Sequence, residues 1–97
     1  MKNGFELGRL GVSAGVYHKM QKDNDFSAFV SKSLKRYASC DWGDTDKNDK
    51  QSNDEAVLNG FRIFSAYNYI YGIHSQKIWI ITEADRSSTT VIFPDEY

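Results

Sequence analysis

The last third of the chain alternates apolar runs with short polar breaks, as β-strands and turns do. The predicted strands cover residues 61–71, 76–82 and 88–93, with turns over residues 72–75 and 83–87. The first run is rich in aromatic and β-branched residues, and Pro94 ends the last because proline has no N–H to donate. Three consecutive strands with short connections predict an antiparallel meander.

The first two thirds of the chain show helical spacing after a short extended segment at residues 5–12. Ser13 stands at an N-cap position before Val16, Tyr17 and Met20, which share one helical stripe. This pattern predicts a first, short helix.

Two further helices are predicted before the meander. In the clearer one, apolar residues recur at intervals of three and four: Phe26, Phe29, Val30, Leu34 and Tyr37. The other is capped by Thr45 and stops at residues 59–60, an Asn-Gly pair. The order is therefore β-α-α-α-β-β-β. It predicts an α+β fold with an antiparallel sheet of three to four strands and helices on one face.

Composition indicates a single domain, residues 1–97, of a cytoplasmic protein. The single cysteine, Cys40, cannot form an internal disulfide, which favours a reducing compartment. No signal peptide and no apolar run of the roughly 20 residues that span a membrane are found. His18 and His74 have no metal-ligand spacing, so we predict no metal and no cofactor.

The turn after the second strand carries the densest set of reactive side chains. Glu83, Asp85 and Arg86 could perform acid–base or phosphate chemistry at a strand end. The alternative is a salt-bridged turn in which these side chains bond the turn backbone. With no metal motif or glycine-rich loop nearby, the structural interpretation is favoured.

A second candidate site is an aromatic face of the sheet. Helices cover only one face of a two-layer domain, so Tyr67, Tyr69, Trp79 and Ile81 could form an interface on the other. Such a face would bind a partner protein or a second copy of the chain. Alternatively, the N-terminal strand and helix wrap around it.

Charge patterning adds two more surfaces. Residues 41–55 hold six acids and two lysines, and Asp44, Asp46 and Asp49 could imitate a phosphate backbone. A basic patch is the other: Lys19, Lys22, Lys32, Lys35 and Arg36. Alternatively, each of these two charged surfaces is an ordinary solvated helix face with no binding role. Net charge is −1, which makes direct nucleic-acid binding unfavoured, although a local patch stays open.

Several motifs resemble a family of small, single-domain bacterial proteins carried on plasmids, phages and other mobile elements. They are Phe5-Glu6-Leu7-Gly8-Arg9-Leu10, Asp41-Trp42-Gly43-Asp44, Gly60-Phe61-Arg62-Ile63-Phe64-Ser65-Ala66-Tyr67, the segment from Trp79 to Thr90, and Pro94-Asp95-Glu96-Tyr97. The resemblance covers nearly the whole chain, and it departs from the family between Ser13 and Gly15, where a proline is usual. It implies no catalytic residue.

This resemblance shapes the functional hypothesis. Small proteins of mobile elements often counter host defence by binding and blocking, which is an association and no more. We therefore expect a non-enzymatic binding protein that inhibits or modulates a host defence complex in the bacterial cytoplasm, as an anti-CRISPR protein does. The alternatives are a small enzyme acting on a nucleotide or phosphorylated substrate through Glu83, Asp85 and Arg86, or a nucleic-acid-binding accessory protein.

Overall fold

Three helices pack against one side of a four-stranded sheet, in the order along the chain that the sequence predicts. The structure is a computed structural model that describes residues 4–97. Its elements are β1 (Arg9–Val12), α1 (Ala14–Lys22), α2 (Asn24–Ala38), α3 (Lys47–Asn59), β2 (Ile63–Tyr71), β3 (His74–Thr82) and β4 (Ser88–Ile92), followed by a 3₁₀ turn over Pro94–Glu96. The α+β class is confirmed.

The strand order across the sheet is β1-β4-β3-β2. The meander is confirmed, because β2 pairs antiparallel with β3, and β3 with β4. The prediction of a wholly antiparallel sheet is wrong for one pair, since β1 runs parallel to β4 with Arg9 opposite Ser88. Parallel neighbours need a long connection, and here the helices and the rest of the meander provide it.

The element boundaries differ from the predictions where side chains have found other partners. Ser13 caps α1 as predicted, its hydroxyl accepting from the Val16 N–H. Asp46, and not Thr45, caps α3. The Thr45 hydroxyl instead donates to the Trp42 carbonyl at 2.6 Å and accepts from a β2 N–H.

The core lies between the helices and the sheet face that meets them. Its buried side chains are Val16, Phe26, Val30 and Tyr37 from the helices, with Ile63, Tyr67, Ile78, Ile80 and Val91 from the sheet. Trp42 is only 4% exposed and closes the corner between α2 and the sheet, which confirms the position predicted for it. We call the opposite side of the sheet the outer face.

A chain of hydroxyl groups crosses this core. The Tyr37 hydroxyl lies 2.7 Å from Thr82 Oγ1, which lies 2.7 Å from Thr89 Oγ1. Thr89 in turn donates to the Leu7 carbonyl at 2.7 Å. Burial raises the pKa of the Tyr37 phenol well above its usual value. This series of hydrogen bonds holds the segment before β1 against the sheet, and every buried hydroxyl group in the series has a hydrogen-bond partner.

Candidate binding surface

The arginine of the charged turn is bound to its own chain. Arg86 Nη1 donates to the carbonyl oxygen of Phe61 at 2.7 Å, and Nη2 to that of Ala56 at 2.8 Å. Two weaker bonds reach the carbonyls of Glu83 and Ala84 within the turn. The guanidinium thus fastens the turn to the end of α3 and to the approach to β2.

The two carboxylates of this turn also have local partners. Glu83 Oε1 lies 3.8 Å from Arg62 Nε, and Asp85 Oδ1 accepts from the Ser87 N–H at 2.9 Å. Hydrogen bonding by Ser87, first through its side chain and then its backbone, lowers the pKa of the Asp85 carboxyl. The turn brings the predicted trio together and gives each member a structural bond. Its acid–base role stays a prediction.

The acidic candidates gather at the start of α3, beside β2. Asp44 Oδ2 accepts from the Asn68 N–H at 2.8 Å. Asp46 Oδ1 accepts from the Asp49 N–H at 2.9 Å and so caps the helix. All three carboxylates are exposed. Two of them nonetheless hold backbone groups, so the acidic surface is partly a structural device.

The Asp-Trp-Gly-Asp motif builds the corner that leads into this surface. Arg36 donates to the Asp41 carboxylate through Nε at 2.8 Å and Nη2 at 3.2 Å. That hydrogen bonding lowers the pKa of Asp41 and raises that of Arg36. Trp42 Nε1 donates to Asp54 at 2.8 Å, which ties the motif to α3. Arg36, which the sequence analysis placed in a basic patch, therefore joins α2 to the Asp41 carboxylate of this motif.

The aromatic candidates of β2 and β3 do not share a face. Tyr67 pairs with Ile78, lies wholly buried under the helices, and donates from its hydroxyl to a backbone carbonyl at 2.8 Å. Tyr69 lies on the same side, with its ring centroid 5.1 Å from that of Phe29. Trp79 lies on the outer face. The predicted interface of Tyr67, Tyr69 and Trp79 is therefore wrong as a single surface.

The outer face is lined by alternate residues of all four strands. They are Phe64, Ala66, Asn68 and Ile70 from β2, Ser75, Lys77, Trp79 and Ile81 from β3, Ser88, Thr90 and Ile92 from β4, and Arg9 and Gly11 from β1. Within residues 4–97, none of these side chains belongs to the core cluster between the sheet and the three α-helices. Ala66 and Ile81 are nevertheless only 6% and 5% exposed, and the segment after β4 places Tyr97 against Trp79. The outer face is therefore partly covered by the C-terminal segment and not by an α-helix.

A row of aromatic rings runs across the outer face. The Trp79 ring meets Phe64 edge-on at 5.0 Å and Tyr97 edge-on at 5.7 Å, measured between centroids. Arg62 reaches over the row and donates to the Tyr97 hydroxyl at 2.9 Å. Phe64 and Trp79 are half-buried, whereas Tyr97 is 70% exposed. The row is ordered by its own contacts yet open to solvent.

One end of the β2–β3 hairpin projects beyond its neighbours. The side-chain amide of Asn53 bonds both the N–H and the carbonyl of Phe64, as a neighbouring strand would. Loop bonds continue along this edge of β2 as far as Asn68. Beyond Asn68 on β2 and Trp79 on β3, these two strands pair only with each other, and no other described strand pairs with their outer edges. We call residues 69–77 the hairpin arm; Ile70 and Ile73 on it are 72% and 97% exposed.

Sequence reasoning missed Phe64, Ile70 and Lys77 as surface candidates, although a signal for them was present. The turn between β2 and β3 comprises only Gly72 and Ile73, so Tyr71 must face His74. Counting back along both strands then pairs odd positions of β2 with even positions of β3. This register alone places Trp79 beside Phe64 and away from Tyr67.

The comparisons with known proteins identify no relative. No family model, no curated protein and no solved structure matches the chain. Within residues 4–97, no helix is long and apolar enough to cross a membrane, and no cluster of three or more metal-ligating side chains occurs.

Proposed function

We propose that this protein is a non-enzymatic binding protein that docks through its outer face. The observation that carries the proposal is a sheet face outside the helix-covered core, with a row of aromatic rings among polar side chains, continuous with the exposed Ile70 of the hairpin arm. Trp and Tyr are enriched at protein interfaces because they bury a large area and keep a polar group for the partner. The aromatic side chains of the face can therefore anchor a partner protein, and the polar side chains around them can form the rim of the interface.

We further propose that the partner is a host defence complex, which the protein inhibits or modulates as an anti-CRISPR protein would. The support is the motif resemblance to proteins of mobile elements, which is an association with genomic company. A blocking protein needs a rigid surface and no reactive group. That requirement fits a turn in which Asp85 and Arg86 bond backbone groups and Glu83 lies beside Arg62.

The experiment is capture of the partner from a bacterial host by the tagged protein, together with a defence assay in cells that express it. Ile70→Asp places a charge on the outer face at a side chain that is 72% exposed, so the fold should tolerate it. Leu58→Asp is the matched control, because Leu58 is 84% exposed at the end of α3. Ile70→Asp should release the partner and restore defence, whereas Leu58→Asp should change neither.

The proposal fails if no defence protein or nucleoprotein is recovered and defence is unimpaired. If both aspartate variants retain the partner, the outer face is not the contact. Asp49→Lys then tests the acidic surface at the start of α3. Sedimentation of the unmodified protein and of Ile70→Asp shows whether the outer face instead joins two copies of the chain, because only a dimer formed through this face should dissociate in the variant.

A further inference from the structure

The outer face carries positive charge in a chain whose net charge is −1. Arg9 and Lys77 point to this face from β1 and β3, and Arg62 lies over its aromatic row. None of the outer-face strand residues is acidic. The carboxylates that border the face are Glu83, 3.8 Å from Arg62, and Asp44, which accepts from the Asn68 N–H, and Asp95 and Glu96 precede Tyr97. The strand positions of the face therefore present cations and no carboxylate to a ligand.

Lys77 lies two residues from Trp79 on the same face of β3, and Arg62 lies over the Tyr97 ring, whereas Arg9 lies on the edge strand β1. Phe64, Trp79 and Tyr97 supply rings, while Asn68 and Thr90 supply an amide and a hydroxyl on the same face. Rings stack on bases, cations neutralise phosphates, and amides and hydroxyls bond base edges and sugars.

We propose that the outer face binds single-stranded nucleic acid, with Trp79 and Tyr97 as stacking residues and Arg9, Arg62 and Lys77 as phosphate contacts. The inference rests on the proposed docking role of this face and names its ligand as the nucleic-acid strand of a nucleoprotein. Strands lie about 4.8 Å apart, so four span roughly 14 Å, enough for two or three nucleotides.

The helical lysines make a weaker case for the same ligand. Lys32 and Lys35 are exposed on α2, and the ring contacts of that helix lie within the core. They can attract phosphate but offer no base a surface to stack on. These residues therefore supply a matched control of the same charge on the opposite layer of the domain.

The test is fluorescence anisotropy with labelled single-stranded RNA and DNA of about 12 nucleotides, within the usual range of single-strand sites. Two or three phosphate contacts predict that affinity falls about 7- to 20-fold between about 50 mM and 200 mM salt. Tyr97→Ala should weaken binding about fivefold or more through lost stacking. Lys77→Glu should weaken it further at low salt, whereas Lys32→Glu should leave it nearly unchanged.

Three outcomes would overturn the inference: no binding at low salt, equal loss with Lys32→Glu and Lys77→Glu, or tighter binding to duplex than to single strands. Far-ultraviolet circular dichroism of each variant shows that the fold is retained. If Ile70→Asp and Lys77→Glu both release a captured protein while no oligonucleotide binds, the docking face stands and its nucleic-acid ligand does not. If oligonucleotides bind and no defence component is captured, the nucleic-acid ligand stands and the proposed role against host defence does not.

Discussion

Replacement of Arg86 by alanine tests whether the charged turn is a structural element. The change removes the bonds to the carbonyls of Phe61 and Ala56, which join the turn to another part of the chain. It also removes the guanidinium that lies over the Phe5 ring. The backbone of Arg86 has φ of +62°, and alanine must adopt the same angle. Lost side-chain contacts therefore account for the change in stability.

The magnitude follows from those two tertiary bonds. A hydrogen bond with a charged partner contributes about 1.5–3 kcal/mol. The lower end applies here, because Ala56 still accepts from the N–H groups of Gly60 and Phe61 and is not left unsatisfied. We expect a loss of about 3 kcal/mol from a free energy of unfolding of roughly 5–15 kcal/mol. For a domain of this size, that corresponds to a fall in Tm of roughly 12–24 °C.

Urea unfolding followed by tryptophan fluorescence and circular dichroism measures this loss. Arg9→Ala is the matched control, since Arg9 is exposed and its removal should change stability by less than about 0.5 kcal/mol. Arg86→Lys should fall between the two, because an ammonium cannot reproduce the planar fork of donors. A loss below about 1 kcal/mol for Arg86→Ala would refute the structural reasoning. A folded variant that had lost an enzymatic activity would favour the enzyme alternative instead.

Three further perturbations test other parts of the fold. Gly43→Ala should cost more than Gly60→Ala by about 1–3 kcal/mol in urea unfolding: both have positive φ, but only at Gly43 would the new Cβ lie 2.3 Å from a tyrosine ring. Asn53→Ala should cost about 2 kcal/mol in the same assay, because a backbone N–H and carbonyl at the edge of β2 lose their partner. Hydrogen bonding from Ser13 lowers the pKa of the Glu96 carboxyl. Its stabilisation is present above the unfolded pKa of about 4.3 and lost as pH falls through the folded value, so Glu96→Gln should flatten the loss of stability measured in acid.

The parts of the fold that were predictable depend on local patterns. The helix around Phe26 was predictable from the spacing of its apolar residues. The end of the last strand was predictable because Pro94 has no N–H to donate. The place of β1 was not predictable in this way, because its pairing with β4 joins segments far apart in the chain. No local pattern states which edge of a sheet such a strand will reach.

The candidate site was harder to predict than the fold, for a related reason. The cations of the outer face come from Arg9, Arg62 and Lys77, which lie far apart in the sequence and share one face only through the register of the sheet. Conversely, the carboxylates and guanidinium at residues 83–86 are adjacent in sequence and suggest chemistry. In the fold they are bound to neighbouring backbone and side chains. Residues adjacent in sequence therefore suggested a reactive site that the fold uses for structural bonds, whereas the cations of the candidate surface are far apart in sequence.

The motifs that carry the family resemblance are largely explained by folding. Trp42 closes a corner, Gly43 admits a buried tyrosine ring, and Arg86 fastens a turn. By contrast, Ile70 and Lys77 of the hairpin arm lie outside every one of those motifs. Arg62, Trp79 and Tyr97 lie inside them, so the motifs also contain most of the proposed ligand contacts. Ile70→Asp and Tyr97→Ala therefore separate the two parts of the face: loss of binding with Ile70→Asp alone would assign the contact to the arm, and loss with Tyr97→Ala alone would assign it to the motifs.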